Sequence, residues 1–200
     1  GLRQQLYLDQ SITIRGGYTT TNWTTPDPEA NPTTLDALGY GRVFYITGAV
    51  SPTIEGLRIT GGDATGLGGL PWDWDAGSGV YVISATATIN NNWIYDNNAS
   101  GEYVIGGGVF LHNNEGVMVD NTIFSNTARY GGGILTLASS TTLDHNTIMS
   151  NTARGGGGVA LWGLFEGARM MITSTAEAGS NRLVSLGFPN PASSYILNKA

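Results

Sequence analysis

Cysteine is absent from this 200-residue chain, which excludes both a disulfide framework and a thiolate metal site. Charge is scarce as well: Asp, Glu, Lys and Arg make up 12% of the residues, against roughly a quarter in an average domain. Lys199 is the single lysine, and the formal net charge is −6. Nucleic-acid binding needs a basic stripe that releases counterions from phosphates, so that class of partner is excluded. No apolar run approaches the ~18 residues that span a bilayer as a helix, and no membrane span is expected. Disorder is excluded too, because 40% apolar residues with so little charge is the opposite of a self-repelling coil. The chain begins at Gly1 without an initiator methionine or signal peptide, and so reads as a processed product or an excised fragment. Its Asn, Thr and Ser content suits an extracellular or cell-surface protein.

Glycine is what the chain has in excess, at 30 residues, about twice the average share of roughly 7%. The glycines cluster instead of falling at every third place, which rules out collagen. They punctuate a repeat. Asn121-Thr122-Ile123-Phe124-Ser125-Asn126-Thr127-Ala128-Arg129 returns 25 residues later as Asn146-Thr147-Ile148-Met149-Ser150-Asn151-Thr152-Ala153-Arg154. Each copy runs into glycines and then an apolar stretch, at Gly131 to Ile134 and at Gly155 to Val159. Earlier copies are Asn92-Trp93-Ile94-Tyr95-Asp96-Asn97 and, more loosely, Leu57-Arg58-Ile59-Thr60-Gly61-Gly62.

Each unit holds three short strand-like runs. The first and second are 9 residues apart, as in Val80 to Ile89, Val109 to Met118 and Ile134 to Leu143; the second and third are always 5 apart. Runs this short, at constant spacing and joined by Gly and Asn turns, are strands and not helices. One strand triplet every 25 residues predicts an all-β, right-handed, single-stranded parallel β-helix. Its five to six coils stack at about 4.8 Å, with like residues over like. The prediction is one domain over 1–200, with core repeats over about 45–165. Residues 166–200 supply a terminal coil and a C-terminal cap, with Phe188-Pro189-Asn190-Pro191 as a breaker. Asn97, Asn126 and Asn151 share a register and are expected to form a ladder of hydrogen-bonded amides, a structural role. Leu6-Tyr7-Leu8 leaves little room for an N-terminal cap, and an open coil end invites head-to-tail stacking of a second copy.

Gly107-Gly108-Val109, Gly132-Gly133-Ile134 and Phe124-Ser125-Asn126 resemble the repeats of chlamydial-type polymorphic outer-membrane proteins. Those repeats alternate a glycine-glycine-aliphatic element with an aromatic-x-x-Asn element; Met149 replaces the aromatic in the next copy. The wider resemblance, over roughly residues 45 to 165, is to the pectin-lyase-like right-handed β-helices. It implies surface adhesins or passenger domains on one side, and enzymes cleaving acidic polysaccharides on the other. The Asn-Thr-Asp, Asp-Asp, Gly-His-Gly and Arg-Ile-Lys elements of polygalacturonase-like enzymes are absent.

Function is expected where the repeat is interrupted. Measured from the third-run Ile to the next first run, with Ile14 as the first anchor, the separations are 31, 21, 15, 11 and 11. This taper predicts a wall of lateral loops at one bend, near the N-terminal end, of the kind repeat proteins use for binding. The loops carry Trp23, then Trp72-Asp73-Trp74-Asp75, then Tyr103. Aromatic faces among a few polar groups bind sugar rings, so these residues are candidate ligands for a glycan; the alternative is that they pin the loops to the solenoid. Asp73 and Asp75 could help hold a calcium ion through hard oxygen ligands, although two carboxylates are too few on their own; no other cofactor or metal is implied. Asp120, Asp144 and His145 lie on adjacent coils and are candidates for acid–base work, with Arg129 and Arg154 elsewhere on the coil. The function expected is therefore a non-catalytic surface or adhesive domain. A carbohydrate-binding or polysaccharide-cleaving protein and a coil-stacking filament subunit are the alternatives.

Overall fold

In a computed structural model, residues 4–69 and 72–163 are described, together with the strands at 169–173 and 194–198. The first coil consists of β1 (Gln4–Leu8), β2 (Thr13–Arg15) and β3 (Thr33–Asp36). The second is β4 (Arg42–Thr47), β5 (Thr53–Glu55) and β6 (Leu57–Thr60). A short β7 (Asp75–Ala76) lies in the loop leading to the third coil, β8 (Val80–Ile83), β9 (Thr88–Asn90) and β10 (Trp93–Tyr95). A second loop strand, β11 (Val104–Ile105), precedes the fourth coil, β12 (Val109–His112), β13 (Val117–Val119) and β14 (Thr122–Phe124). The fifth is β15 (Ile134–Leu137), β16 (Ser140–Asp144) and β17 (Thr147–Met149), followed by β18 (Val159–Trp162), β19 (Arg169–Thr173) and β20 (Ser194–Asn198). The breaker at 188–191 lies outside the described residues.

These strands form three parallel sheets, each taking one strand per coil: β1-β4-β8-β12-β15-β18, β2-β5-β9-β13-β16-β19-β20, and β3-β6-β10-β14-β17. Register follows the sequence repeat. Val80, Val109, Ile134 and Val159 sit over one another, as do Ile89, Met118 and Leu143, and Ile59, Ile94, Ile123 and Ile148. These inward side chains form one buried column, and their removal from water contributes roughly 1.5–3 kcal/mol each.

The first coil corrects the expected frame. Ile14 pairs with Ile54 in the second sheet, so it is not a third-run residue. That place belongs to Leu35, which pairs with Ile59. The coils also start well before residue 45, since β1 pairs with β4 through Leu6↔Phe44. The insertion at 16–32 therefore leaves at the bend between the second and third sheets, whereas the later insertions leave between the third and first. Nothing in Thr33-Thr34-Leu35-Asp36 carries the asparagine signature, which is why the misassignment arose.

From the third coil to the fifth, the bend after the third sheet is built by a residue in the left-handed region followed by an asparagine. Asp96, Ser125 and Ser150 have φ of 51°, 55° and 54° and precede Asn97, Asn126 and Asn151. The expected ladder is present: Asn97 Nδ2 donates to Asn126 Oδ1 at 3.0 Å and Asn126 Nδ2 to Asn151 Oδ1 at 3.0 Å. A second ladder runs five residues earlier, where Asn92 donates to Asn121 at 3.0 Å and Asn121 to Asn146 at 2.8 Å. The sequence repeat carries both asparagines, Asn121 and Asn146 as well as Asn126 and Asn151. Both ladders stop at the second coil, where Leu57 and Gly62 simply donate their backbone N–H to Asn92 and Asn97.

Candidate functional site on the aromatic flank

From the third coil onward the first sheet is buried on both faces, whereas Tyr7 on β1 stays exposed. Every residue of β8, β15 and β18 is buried, as near-continuous apolar runs demand. The inward half belongs to the solenoid core. The outward half, Tyr81, Ile83, Phe110, Leu135, Leu137, Ala160 and Trp162, forms a second apolar cluster with Ala76 and Ile105. What covers it are the two loops at 61–79 and 96–108, which fold back over the sheet and pair with each other through β7 and β11. Tyr130 continues this stack, bridging Ile105 and Gly155.

Arg42 staples the first of these loops. Its guanidinium is buried, lies 4.7 Å from the Tyr81 ring centre, and donates to Ala76 O at 2.6 Å and to Gly68 O. Desolvation lowers its pKa below the ordinary guanidinium range. Asp75 closes the loop, with its carboxylate accepting from Gly66 N and Gly68 N, both at 2.9 Å. Its two oxygens thus serve the backbone. Asp73 occupies a left-handed position at φ 59°. Among the described residues no group of three or more His, Cys, Asp or Glu side chains is placed to hold a metal ion.

The predicted aromatics divide. Trp72 and Trp74 are 5.4 Å apart, and Trp74 lies 5.3 Å from Tyr103. Two rings that the sequence reading did not single out complete the group: Trp162 from β18, 6.0 Å from Trp72, and Tyr130, 5.3 Å from Trp162. Trp162 is buried, whereas Trp72 and Tyr103 remain 40% and 49% exposed. The loop rings thus do both things weighed for them, with the inner ones pinning the loops and the outer ones facing solvent. Trp23 is apart from them, on the 16–32 insertion, stacked 6.1 Å from Tyr18. It is not part of this flank, because its insertion leaves at another bend.

Beside the rings runs a groove of about 520 Å³ lined by Ser100, Glu102, Thr127, Arg129 and Arg154, among others. Arg129 sits 5.4 Å from the Tyr103 ring centre and 5.7 Å from that of Tyr130, and donates to Glu102 O at 2.6 Å. Its hydrogen bond to Tyr130 raises its pKa above the ordinary guanidinium range. Burial lowers the pKa of His112, on the outward face of the same sheet, below its usual 6.5.

Asp120, Asp144 and His145 lie elsewhere, at the bend between the second and third sheets. Asp120 and His145 are left-handed bend residues, with φ of 53° and 50°. Asp144 pairs with Val119 in the sheet and contacts His145 Nδ1 at 2.8 Å. These three residues are brought together, but away from the rings.

The family model for the right handed beta helix region matches residues 9–165. The chain belongs to the right-handed β-helix family. Neither the search of curated proteins nor that of solved structures returned a match. The family match does not extend to the finer resemblance to polymorphic outer-membrane repeats. Phe124 and Asn126 are separated by one residue, short of aromatic-x-x-Asn, because the ladder asparagine must directly follow the left-handed Ser125. No helix among the described residues is long and apolar enough to cross a membrane.

Proposed function

We propose that this β-helix is a non-catalytic extracellular or cell-surface domain that adheres to glycans through its aromatic flank. The observation that carries this reading is the exposure of Trp72 and Tyr103 on top of a ring cluster anchored by buried Trp162. Large rings held open on a rigid base supply apolar contact to a sugar face at little entropic cost. Arg129 and Arg154, in the adjoining groove, add hydrogen-bond donors for hydroxyl and acid groups of the same ligand. Two of the three acid–base candidates are accounted for as bend residues, which supports the non-catalytic reading. The glycine-rich repeats, similar to those of surface proteins, support the location.

Affinity electrophoresis and glycan-array binding with acidic glycans test the proposal. Trp72→Ala and Tyr103→Ala are each expected to weaken retention by an acidic glycan about tenfold or more, with the melting temperature nearly unchanged because both rings are half-exposed. A wild-type chain that no acidic glycan retains, or variants that such a glycan retains equally well, would contradict it. The Asp144–His145 contact of 2.8 Å favours a second reading, a polysaccharide-cleaving enzyme. Turnover of an acidic polysaccharide that disappears in Asp144→Ala would establish that reading instead.

A further inference from the structure

Trp93 is a large ring on the outer face of the third sheet, which no loop of the aromatic flank covers. It is the first residue of β10 and is 41% exposed. In the register it sits between Arg58 and Thr122, with the Arg58 guanidinium carbon 4.9 Å from its ring centre. Phe124 meets it edge-on at 6.3 Å, and Tyr95 stacks on Phe124 at 5.0 Å. Arg58 forms no ion pair with any described residue. An arginine laid on an indole keeps its in-plane donors for an outside partner while fixing the ring.

The 16–32 insertion builds a wall opposite. Asp27 N donates to Gly17 O at 2.7 Å, and Ala30 N and Asn31 N donate to Asp27 at 3.0 and 2.8 Å. Pro28 is packed on the next coil, where a Cβ added to Gly56 would meet its Cγ at 2.8 Å. The turn carrying Asp27 and Glu29 is thereby fixed over the bend. Between it and the indole lies a groove of about 510 Å³ lined by Asp27, Glu29, Gly56, Arg58, Asn91 and Trp93, among others. That volume falls within the range of small-molecule sites, roughly 300–1,000 Å³.

The geometry points to this groove as a second binding site, for a neutral saccharide. Carboxylate, amide and guanidinium groups are planar and suited to paired hydrogen bonds with neighbouring hydroxyls, and an indole takes the apolar face of a sugar ring. Two carboxylates against one guanidinium repel a polyanion, so the ligand is an uncharged chain and not an acidic one. The site lies at the bend between the second and third sheets, while Trp72 and Tyr103 lie between the third and first. Its failure would leave the flank reading untouched, and the converse also holds.

The test is affinity electrophoresis of the intact chain through gels containing galactomannan, xyloglucan or laminarin, with polygalacturonate as the acidic comparison. Retardation by at least one neutral polymer is expected, reduced tenfold or more by Trp93→Ala and by Glu29→Ala. Trp72→Ala is expected to leave that retardation as it is. Glu29 is an exposed turn residue, so its variant reads the site without threatening the fold, and the circular-dichroism melt of each variant checks this. Absence of retardation in all three neutral gels would overturn the inference. So would retardation that survives both substitutions, or loss in Trp72→Ala with retention in Trp93→Ala.

Discussion

Gly108→Val is expected to destabilise the protein by about 3 kcal/mol or more, measured by urea unfolding of the intact chain. A Cβ at this position would stand 2.6 Å from Gly133 O and 3.0 Å from Asn126 Nδ2. Neither neighbour can retreat cheaply. The next coil is held there by Val109 N donating to Gly133 O at 2.9 Å and Gly108 N to Gly132 O at 3.0 Å, and Asn126 is a ladder residue. The glycine is required by the closeness of successive coils at this corner. Gly101→Ala is the milder comparison: its Cβ would meet side-chain atoms of Val104 and Asp75 at 3.0 and 3.1 Å and no backbone atom, so a loss clearly below that of Gly108→Val is expected. Equal losses for the two would show that coil spacing at Gly108 is not tight.

Asn126→Leu is expected to cost about 3–5 kcal/mol, a large part of the 5–15 kcal/mol that holds a typical domain. The fully buried amide donates to Ile94 O at 2.9 Å and to Asn151 Oδ1 at 3.0 Å. Its oxygen accepts from Asn97 N at 3.1 Å and Asn97 Nδ2 at 3.0 Å. Leucine fills similar space but strands the Asn97 N–H and the Ile94 carbonyl, and buried groups left unpaired cost roughly 1–3 kcal/mol each. Asn151→Leu is expected to cost clearly less, because Asn151 is only half-buried. Its side chain donates to Ile123 O at 2.9 Å and, among described partners, continues to no further rung. The same urea series checks this ranking, and an equal cost at both positions would contradict it.

The architecture was readable because a coil solenoid writes itself into the chain. A residue that must sit over its counterpart recurs at the repeat length, so Ile94, Ile123 and Ile148 declare one column. The first coil escaped for a physical reason. Its second bend is replaced by the 16–32 insertion, so no asparagine marks Leu35 as the partner of Ile59.

Loop composition announced aromatic rings. What it could not announce is that Trp72 meets Trp162, 90 residues on, because that contact depends on a loop folding back across a sheet four coils deep. Asp75 illustrates the opposite failure. An Asp beside a Trp reads as a ligand, yet its carboxylate is spent on two amides of its own loop, a use that sequence alone does not separate from metal binding. Trp93 and Arg58 stand beside Ile94 and Ile59 in the repeat, but the wall facing them comes from the 16–32 insertion, whose place in the first coil the repeat does not mark, so the groove is not legible in the sequence.

Because the chain has no cysteine of its own, a paired replacement reads coil stacking without background. Thr122 and Thr147 are register partners on the outer face of the third sheet, and neighbouring strands about 4.8 Å apart place such a pair within disulfide reach. Thr122→Cys with Thr147→Cys is expected to close one intramolecular disulfide under mild oxidation, while Thr122→Cys with Thr142→Cys, on different sheets, stays reduced. Free thiols in the first pair together with closure of the second would contradict the parallel rung-on-rung arrangement on which both binding faces rest.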